Sequence, residues 1–402
     1  MKRCICIAGK NDIAVRAMQY LIKNVKSSEY YFTACINKSD TGSATWQPSY
    51  ALFCKENNIP ILDIKDCYEL DDLLFISLEY DRLINPLKFK SKKLFNVHFS
   101  YLPAYKGMFT STFPLINGEK KSGVTLHRID KGIDTGDIID QISIELPLHF
   151  NSADLYKRYL EESYTLFINN IDSLIAGKEI SVQQPDIGSS YYSRGSIDFS
   201  NIVIDFKKTA YEVHNQVRAF CFREYQLPLI EGKQIFKSEI IRKITEGKPG
   251  TVAYQDEWVI ILNTVDYQVE LYIDKMDLLL DAASKGDVKL YETIAASGFP
   301  VKTKNKAGWD ALIVACYNNQ AGFVKKLLDE GWDVNSCNYN NTTAAMYAMT
   351  ASGKINDLSI LQTIASYSPD WKSVDKNGKN IFQYANDYTN PAVIAFLNQY
   401  LS

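Results

Sequence analysis

The chain has 402 residues, of which 46% are hydrophobic, and it carries a formal net charge of −3. This length predicts two or three domains, each able to bury a core, and it excludes a disordered protein. The slightly acidic balance argues against a protein that grips a nucleic-acid backbone. No run of 18 or more apolar residues occurs, and the first residues are too strand-like for a signal peptide. We therefore expect a cytoplasmic protein with neither a membrane nor a nucleic acid as partner.

Cysteine and histidine are spread along the chain without a metal-binding spacing. The eight cysteines lie in apolar segments with no C-x-x-C pair, and the four histidines are dispersed. We therefore expect reduced core thiols and no metal site. The residues concerned are Cys4, Cys6, Cys35, Cys54, Cys67, Cys221, Cys316, Cys337, His98, His127, His149 and His214.

The amino-terminal part alternates between strand-like and helix-like segments. RCICIAG predicts a strand that ends at Gly9, and helical spacing of apolar residues follows. Strand-like runs recur at 31–37, 59–64 and 73–80, which predicts a Rossmann-like, doubly wound parallel sheet. The opening turn lacks a GxGxxG pattern, so a dinucleotide is not expected. Lys10 and Asn11 suit either an anion site or a simple tight turn.

Strand-like segments at 122–129 and 136–146 bracket an aspartate-rich loop, and a helix is predicted from an N-cap at Ser152 to Gly177. A polar, glycine-containing stretch then marks a domain boundary. Beyond it, one amphipathic helix and several alternating strands predict a small β-rich domain. We place the domains at 1–195, 196–273 and 274–402.

The last third of the chain repeats with a period of 33 residues. Ala282, Ala315 and Ala348 keep this spacing, as do Gly298 and Gly331. A 33-residue period predicts three to four ankyrin repeats, which are pairs of antiparallel helices that bury their apolar faces only when stacked. The predicted fold is therefore a Rossmann-like α/β domain, a small β-rich domain and an all-α ankyrin repeat domain.

The stretch NVHFSYLPAYKG places Asn96 and His98 on one face of a strand, near its carboxyl end. The loop DKGIDTGD, about thirty residues later, adds Asp130, Asp134 and Asp137. An imidazole and an amide can stabilise the oxyanion of a tetrahedral intermediate, while a carboxylate manages an amine's proton. This set predicts direct acyl transfer to an amine without a covalent enzyme intermediate.

These two stretches resemble the formyltransferases that use N10-formyltetrahydrofolate, whose signature reads N-x-H-P-S-L-L-P and then D-x-G-x-D-x-G. The resemblance covers about the first 190 residues, and it implies that Asn96, His98 and Asp134 are the catalytic trio. One departure is Phe99, which stands where the family usually has proline. It leaves the chemical groups in place.

The resemblance also implies a folate co-substrate, N10-formyltetrahydrofolate, and further site residues. The implied folate-binding residues are Glu79, Tyr80, Ile84 and Asp130. The predicted substrate-binding residues are Lys10, Asn11, Tyr105, Arg218, Phe222 and Tyr225.

Residues 210–230 resemble the carboxy-terminal domain of sugar N-formyltransferases. The implied substrate is a dTDP-linked amino-dideoxy sugar, with 3-amino-3,6-dideoxyglucose favoured, and the implied context is O-antigen or related glycan biosynthesis. Two alternatives stay open: an ankyrin scaffold with an inactive formyltransferase-like head, and a methionyl-tRNA formyltransferase.

The repeats themselves suggest a second role. They are expected to bind a protein partner, support a homodimer, or bind a second nucleotide sugar through aromatic stacking. The residues predicted for this second ligand site are Trp309, Tyr317, Trp332 and Tyr339.

Overall fold

A six-stranded sheet organises the amino-terminal part of the computed structural model, which describes residues 2–388 and 390–401. The sheet order is β2-β1-β3-β4-β6-β7, and a separate short pair joins β5 to β8. The strands are β1 Arg3–Gly9, β2 Tyr30–Ile36, β3 Leu73–Leu78, β4 Lys93–His98, β5 Lys106–Gly107, β6 Lys121–Arg128, β7 Ile138–Glu145 and β8 Tyr191–Tyr192. The first four strands of the sheet are parallel, whereas β6 and β7 are antiparallel to their neighbours.

Six helices accompany these strands and the segment that follows them. They are α1 Asn11–Asn24, α2 Tyr50–Glu56, α3 Ile64–Tyr68, α4 Phe113–Ile116, α5 Ser152–Ala176 and α6 Ala210–Phe220. The long helix α5 packs on β6, β7 and α1 through apolar residues such as Leu155, Leu166 and Ile171, which are buried. These residues belong to the main apolar core of the domain, together with residues of the strands and of α1.

Two local sequence predictions are wrong. Residues 59–64 do not form a strand, because only Ile61 bridges to the sheet, at Ala34, before α3 begins. The N-cap of α5 is Asn151 rather than Ser152: the Asn151 side chain accepts from the Asp154 N–H in a capping box. The predicted end of this helix at Gly177, in a left-handed conformation, is confirmed.

The β-rich part is a five-stranded antiparallel sheet in the order β11-β12-β13-β10-β9. Helix α6 packs on its longest strand, and Val213 and Val217 of the helix share a buried core with Ile235 and Leu271. The strands are β9 Leu229–Ile230, β10 Lys233–Ile244, β11 Val252–Gln255, β12 Val259–Asn263 and β13 Tyr267–Ile273. Residues 1–273 form one compact unit and residues 274–402 a second.

Within its described residues, 274–388 and 390–401, the second unit contains four successive helix pairs. They are α7 Met276–Lys285 with α8 Val288–Ala296, α9 Ala311–Tyr317 with α10 Ala321–Asp329, α11 Ala344–Ile355 with α12 Ser359–Ala365, and α13 Ile381–Tyr388 with α14 Pro391–Leu397. The first helix of each pair packs on the first helix of the next, and the alanines at the 33-residue period are buried. Small residues there let the helices approach closely.

The predicted fold class is therefore confirmed: a Rossmann-like α/β domain, a sheet-rich segment and a helical ankyrin region. In the part of the chain that the structure describes, no helix is both long enough and apolar enough to cross a membrane.

Candidate active site

Two polar side chains lie at the carboxyl end of β4 and reach the same carboxylate. Asn96 donates through Nδ2 to Oδ1 of Asp134 at 3.2 Å, and Nδ1 of His98 lies 3.4 Å from Oδ2 of Asp134. The other ring nitrogen of His98 donates to the carbonyl oxygen of Tyr105 at 2.9 Å. The structure thus brings together the three residues that the sequence predicts as a catalytic trio.

A tightly folded loop after β6 carries Asp134 to this position. A Cβ at Gly136 would lie 1.8 Å from the carbonyl oxygen of Arg128, so only glycine fits there. Asp134 itself has a φ of 54°, a left-handed conformation that aspartate tolerates better than most residues. The side-chain amide of Gln184 donates to the carbonyl oxygens of Asp134 and Gly136, which fixes the loop from the other side.

The Asp134 carboxylate is buried but well supported. Burial works against its ionisation, yet the interactions with His98 and His127 and the hydrogen bond from the N–H of Gly107 outweigh that effect and hold the Asp134 pKa well below its usual range. The carboxylate therefore stays ionised through neutral and mildly acidic pH. It is available as a proton acceptor when an amine reacts beside it.

His127 is a member of this cluster that the sequence reasoning missed. It lies on β6 directly opposite Asn96 and is 2% exposed. Its Nδ1 donates to the carbonyl oxygen of Arg128 at 2.8 Å, so its Nε2 is free to accept from the Asn96 amide at 3.1 Å. The sequence places both residues on strand-like segments, but the antiparallel pairing that sets them opposite each other is seen only in the structure.

A second polar group lies at the carboxyl ends of β1 and β3. Glu79 follows β3, and the hydroxyl of Tyr156 donates to it at 2.6 Å while accepting from the Gln47 amide at 3.1 Å. Burial raises the Glu79 pKa, although the nearby charge of Lys10 and a hydrogen bond from Asn11 oppose the shift. The opening turn and Glu79 therefore lie next to one another.

Aromatic rings surround this group. The ring of Trp46 lies 5.5 to 5.9 Å from those of Tyr156, Phe222 and Tyr225. Tyr225 is 48% exposed and can offer a face of its ring to a ligand. Phe222 is only 4% exposed and packs against the ring of Trp46. Trp46, Gln47 and Tyr156 were not predicted, because they lie in segments without a motif.

Arg218 lies in the interior of the protein. It is 3% exposed, and its guanidinium donates to the Asn215 side chain and to the carbonyl oxygens of Pro147 and Phe150. Its Nε and Nη1 donate inside the protein, whereas its Nη2 is buried without a hydrogen-bond partner, and its contact with a diphosphate stays a prediction. Arg218 instead ties α6 to the loop before α5.

Other predicted binding residues support the site from within the core. Tyr105 is 7% exposed, its ring stacks on Tyr192, and its hydroxyl donates to Glu119, so its contribution is the carbonyl that holds His98. Tyr80 and Ile84 are half-buried and pack against a core on β1 and β3.

Asp130 accepts hydrogen bonds from the N–H of Gly132 and the hydroxyl of Thr135, which shapes the loop that carries Asp134. The side chains of Leu83 and Leu87, in the segment after β3, are 82% and 67% exposed. Whether any of these residues contacts a folate stays a prediction.

In the repeat unit, the structure joins Trp309 and Tyr317 with a ring that was not predicted. Tyr347 lies 5.1 Å from Trp309 and 5.9 Å from Tyr317, and the ammonium of Lys354 lies 4.8 Å from the Tyr317 ring centre. We call Trp309, Tyr317, Tyr347 and Lys354 the repeat aromatic cluster. Trp332 is 8% exposed, and its ligand contact stays a prediction. Tyr339 packs beside Gly308.

Comparison with known proteins agrees with this geometry. The formyl transferase family profile matches residues 73–171, and an ankyrin repeat profile matches residues 279–375. WlaRD, a sugar 3N-formyl transferase whose crystal structure was determined in the presence of dTDP and 5-N-formyl-THF, is 41% identical, with a TM-score of 0.64; the match covers 68% of this chain and 98% of WlaRD.

Two further relatives are similar to this chain, one to the same degree and one less. The N-formyltransferase from Helicobacter canadensis, in a complex with folinic acid and dTDP-3-aminofucose, is also 41% identical, with a TM-score of 0.63; the match covers 68% of this chain and all of that protein. The methionyl-tRNA formyltransferase of Clostridium beijerinckii is 26% identical over 269 residues, which is 62% of this chain and 84% of that enzyme.

The assembled Asn96, His98 and Asp134 cluster, the family profile and the two 41% identical structures lead to one conclusion. The chain belongs to the sugar N-formyltransferase family and is an enzyme of formyl transfer.

Proposed function

We propose that this enzyme transfers the formyl group of N10-formyltetrahydrofolate to the amine of a dTDP-linked 3-amino-3,6-dideoxy sugar, with the glucose isomer as the expected substrate. Such a product would serve O-antigen or related glycan biosynthesis. The observation that carries the proposal is the intact cluster of Asn96, His98 and Asp134, each held by hydrogen bonds from a different segment of the chain.

The arrangement supports direct attack by the amine. The amine nitrogen forms a bond to the formyl carbon. The resulting oxyanion is stabilised by Asn96 and His98, whose side chains face Asp134 in the structure and turn to the oxyanion as that carboxylate takes up the amine's proton. Asp134 accepts the proton that the amine loses. The intermediate collapses when the bond to N10 of the folate breaks, and N10 takes up a proton. His127 accepts from the Asn96 amide, which holds this amide in the orientation that the reaction needs.

The dTDP-sugar assignment rests on the neighbourhood of Lys10 and Glu79. Lys10 and Asn11 lie where β1 ends and α1 begins, where backbone N–H groups and a cation suit a diphosphate. The half-exposed ring of Tyr225, with Trp46 beside it, offers a stacking surface for a base. The two 41% identical relatives were crystallised with dTDP or a dTDP amino sugar.

The alternatives have weaker support. A methionyl-tRNA substrate would ordinarily call for a basic surface, whereas this chain has a net charge of −3, and the methionyl-tRNA relative is only 26% identical. An inactive head on an ankyrin scaffold would not need a connected catalytic cluster.

The test is formylation of dTDP-3-amino-3,6-dideoxyglucose by the purified chain with N10-formyltetrahydrofolate, followed by mass spectrometry of the sugar. We expect a product that carries one added formyl group, and a turnover about two to three orders of magnitude lower for His98→Asn. His149→Asn, at an exposed histidine, is the matched control. No product from 3-amino and 4-amino sugars would favour the scaffold alternative, and an unimpaired His98→Asn variant would refute the mechanism.

We also propose that the repeat aromatic cluster binds a second nucleotide sugar. Three rings within 6 Å of one another, next to the ammonium of Lys354, can stack on a base and attract a phosphate. A protein partner for the repeats and a homodimer of the whole chain are further proposals that follow from the ankyrin architecture.

A further inference from the structure

Three cysteines from three different elements meet in the core on one face of the sheet. Cys6 comes from β1, Cys35 from β2 and Cys67 from α3, and they are 0%, 1% and 0% exposed. Their sulfurs lie 3.8 Å apart for Cys6 and Cys35, 3.5 Å for Cys35 and Cys67, and 3.9 Å for Cys67 and Cys6. Local sequence spacing does not reveal this group, because the three cysteines are brought together only by the parallel pairing of β1 with β2 and by the position of α3.

The triangle of sulfurs has the size of a three-sulfur coordination site. The point equidistant from all three lies about 2.2 Å from each sulfur, close to the ~2.3 Å of a zinc–thiolate bond. An ion slightly out of the sulfur plane would therefore reach all three without movement of the backbone. Among residues 2–388 and 390–401, no fourth His, Cys, Asp or Glu joins the group. The nearby Cys4 lies 3.4 Å from the Thr33 hydroxyl.

The surroundings limit the charge that the site can hold. The same core contains Ala8, Leu73, Phe75 and Phe89, all buried. Three thiolates in such a place are strongly disfavoured unless their charge is cancelled. A monovalent or divalent ion would leave a net negative charge, whereas a trivalent ion leaves none. A zinc ion would additionally require a fourth ligand.

We propose that Cys6, Cys35 and Cys67 form a binding site for trivalent arsenic, taken up as neutral arsenous acid. Three arsenic–sulfur bonds form and three arsenic–oxygen bonds break. Each thiol proton leaves with a hydroxyl as water, so three waters are released and arsenic remains in the +3 state. Reactants and product are neutral, which suits the apolar core. The bound atom links β1, β2 and α3.

The experiment uses the full chain, reduced and then freed of reductant, with sodium arsenite as the probe. Native mass spectrometry is expected to show one arsenic per chain with the loss of three hydrogens. Arsenic X-ray absorption of the wild-type protein is expected to show three sulfur neighbours. The midpoint of thermal unfolding should rise with arsenite and stop rising after one equivalent, because the ligand binds only the folded cluster.

Cys35→Ser and Cys67→Ser are each expected to weaken arsenite binding at least tenfold, whereas Cys54→Ser, at a buried cysteine outside the triangle, should leave it unchanged. Fewer than three sulfur neighbours in the wild-type spectrum would overturn the proposal without any variant. So would full retention of arsenic by both serine variants, or no retained arsenic in the folded wild type. If cadmium binds to the protein and arsenite does not, the argument that a trivalent atom is needed to cancel the charge of the thiolates is refuted.

Discussion

The catalytic cluster and the repeat aromatic cluster consist of different chemical groups. In the first, an amide, two imidazoles and a carboxylate are connected to one another and to backbone groups from β4, β6 and their loops. In the second, three rings and one ammonium touch mainly through their faces and edges. Groups that exchange protons need fixed positions and controlled charge, whereas a stacking surface needs only shape. We therefore expect substitutions in the first cluster to lower the rate of formyl transfer, and substitutions in the second cluster to weaken ligand binding only.

The largest effect is expected at Asp134. Asp134→Asn removes the proton acceptor and should lower kcat by about three orders of magnitude. Because the folded-state pKa of Asp134 is depressed, its carboxylate also adds stability that is present above the unfolded pKa and is lost as pH falls through the folded pKa. The variant should therefore be less stable than wild type at neutral pH, and the difference should shrink in acid.

Single-turnover formylation and urea unfolding at several pH values measure these two consequences. Asp186→Asn, at an exposed aspartate, is the control and should match wild type. If Asp134→Asn turned over at the wild-type rate, Asp134 would not be the proton acceptor.

A smaller effect is expected at His127, which acts through Asn96. His127→Phe keeps the ring volume but removes the acceptor for the Asn96 amide, so kcat should fall by roughly tenfold, the value of one hydrogen bond. The KM for both substrates should stay nearly constant, since the change affects orientation at the reacting carbon. A change confined to KM, or none at all, would show that Asn96 is positioned by Asp134 alone.

Trp309→Ala should distinguish the role of the repeat aromatic cluster from that of the catalytic cluster. We expect unchanged kcat for formylation, but one fewer dTDP bound per chain by calorimetry, because stacking on an aromatic ring is worth about 1–3 kcal/mol per base. Trp371→Ala is the control in the same unit, since its ring contacts Tyr400 and lies outside the cluster. An unchanged dTDP stoichiometry for Trp309→Ala would remove the support for a second nucleotide site.

The smallest effect concerns stability at Glu79. Its raised pKa means that the folded state binds the proton more tightly than the unfolded state, so stability declines as pH rises through that range. Glu79→Gln should remove this penalty and gain on the order of 1 kcal/mol over wild type near neutral pH, with less gain in acid. Urea unfolding at both pH values measures it, with Glu56→Gln as the exposed control. If Glu79→Gln differed from wild type in free energy of unfolding by the same amount near neutral pH and in acid, the raised pKa of Glu79 would be contradicted.

The sequence predicts the parts of the molecule that local patterns encode. The 33-residue period predicts the helix pairs, and the spacing of Asn96 and His98 on a strand, followed by the aspartate loop, predicts the residues that the structure brings together at Asp134. These features depend on neighbours along the chain or on a single turn whose glycines are visible in the sequence.

Residues that meet only through tertiary packing could not be predicted in the same way. His127 joins Asn96 through antiparallel pairing, and Trp46 joins Tyr225 across more than 170 positions of sequence. Arg218 shows a second limit: an arginine near aromatic residues suggests a ligand contact, whereas the structure shows a side chain that is 3% exposed and donates through Nη1 to backbone carbonyl oxygens. Charge type alone does not distinguish an internal arginine from one that faces a ligand.

The buried Arg218 has a consequence for how the first unit unfolds. Its guanidinium on α6 donates to carbonyl oxygens that precede α5, and His214 on the same helix contacts the carbonyl oxygen of Leu148 at 2.9 Å. Separating α6 from the sheet domain would leave these polar groups without partners in an apolar setting. Residues 1–273 should therefore melt in one cooperative transition, and a chain cut after residue 195 should be markedly less stable than the undivided unit.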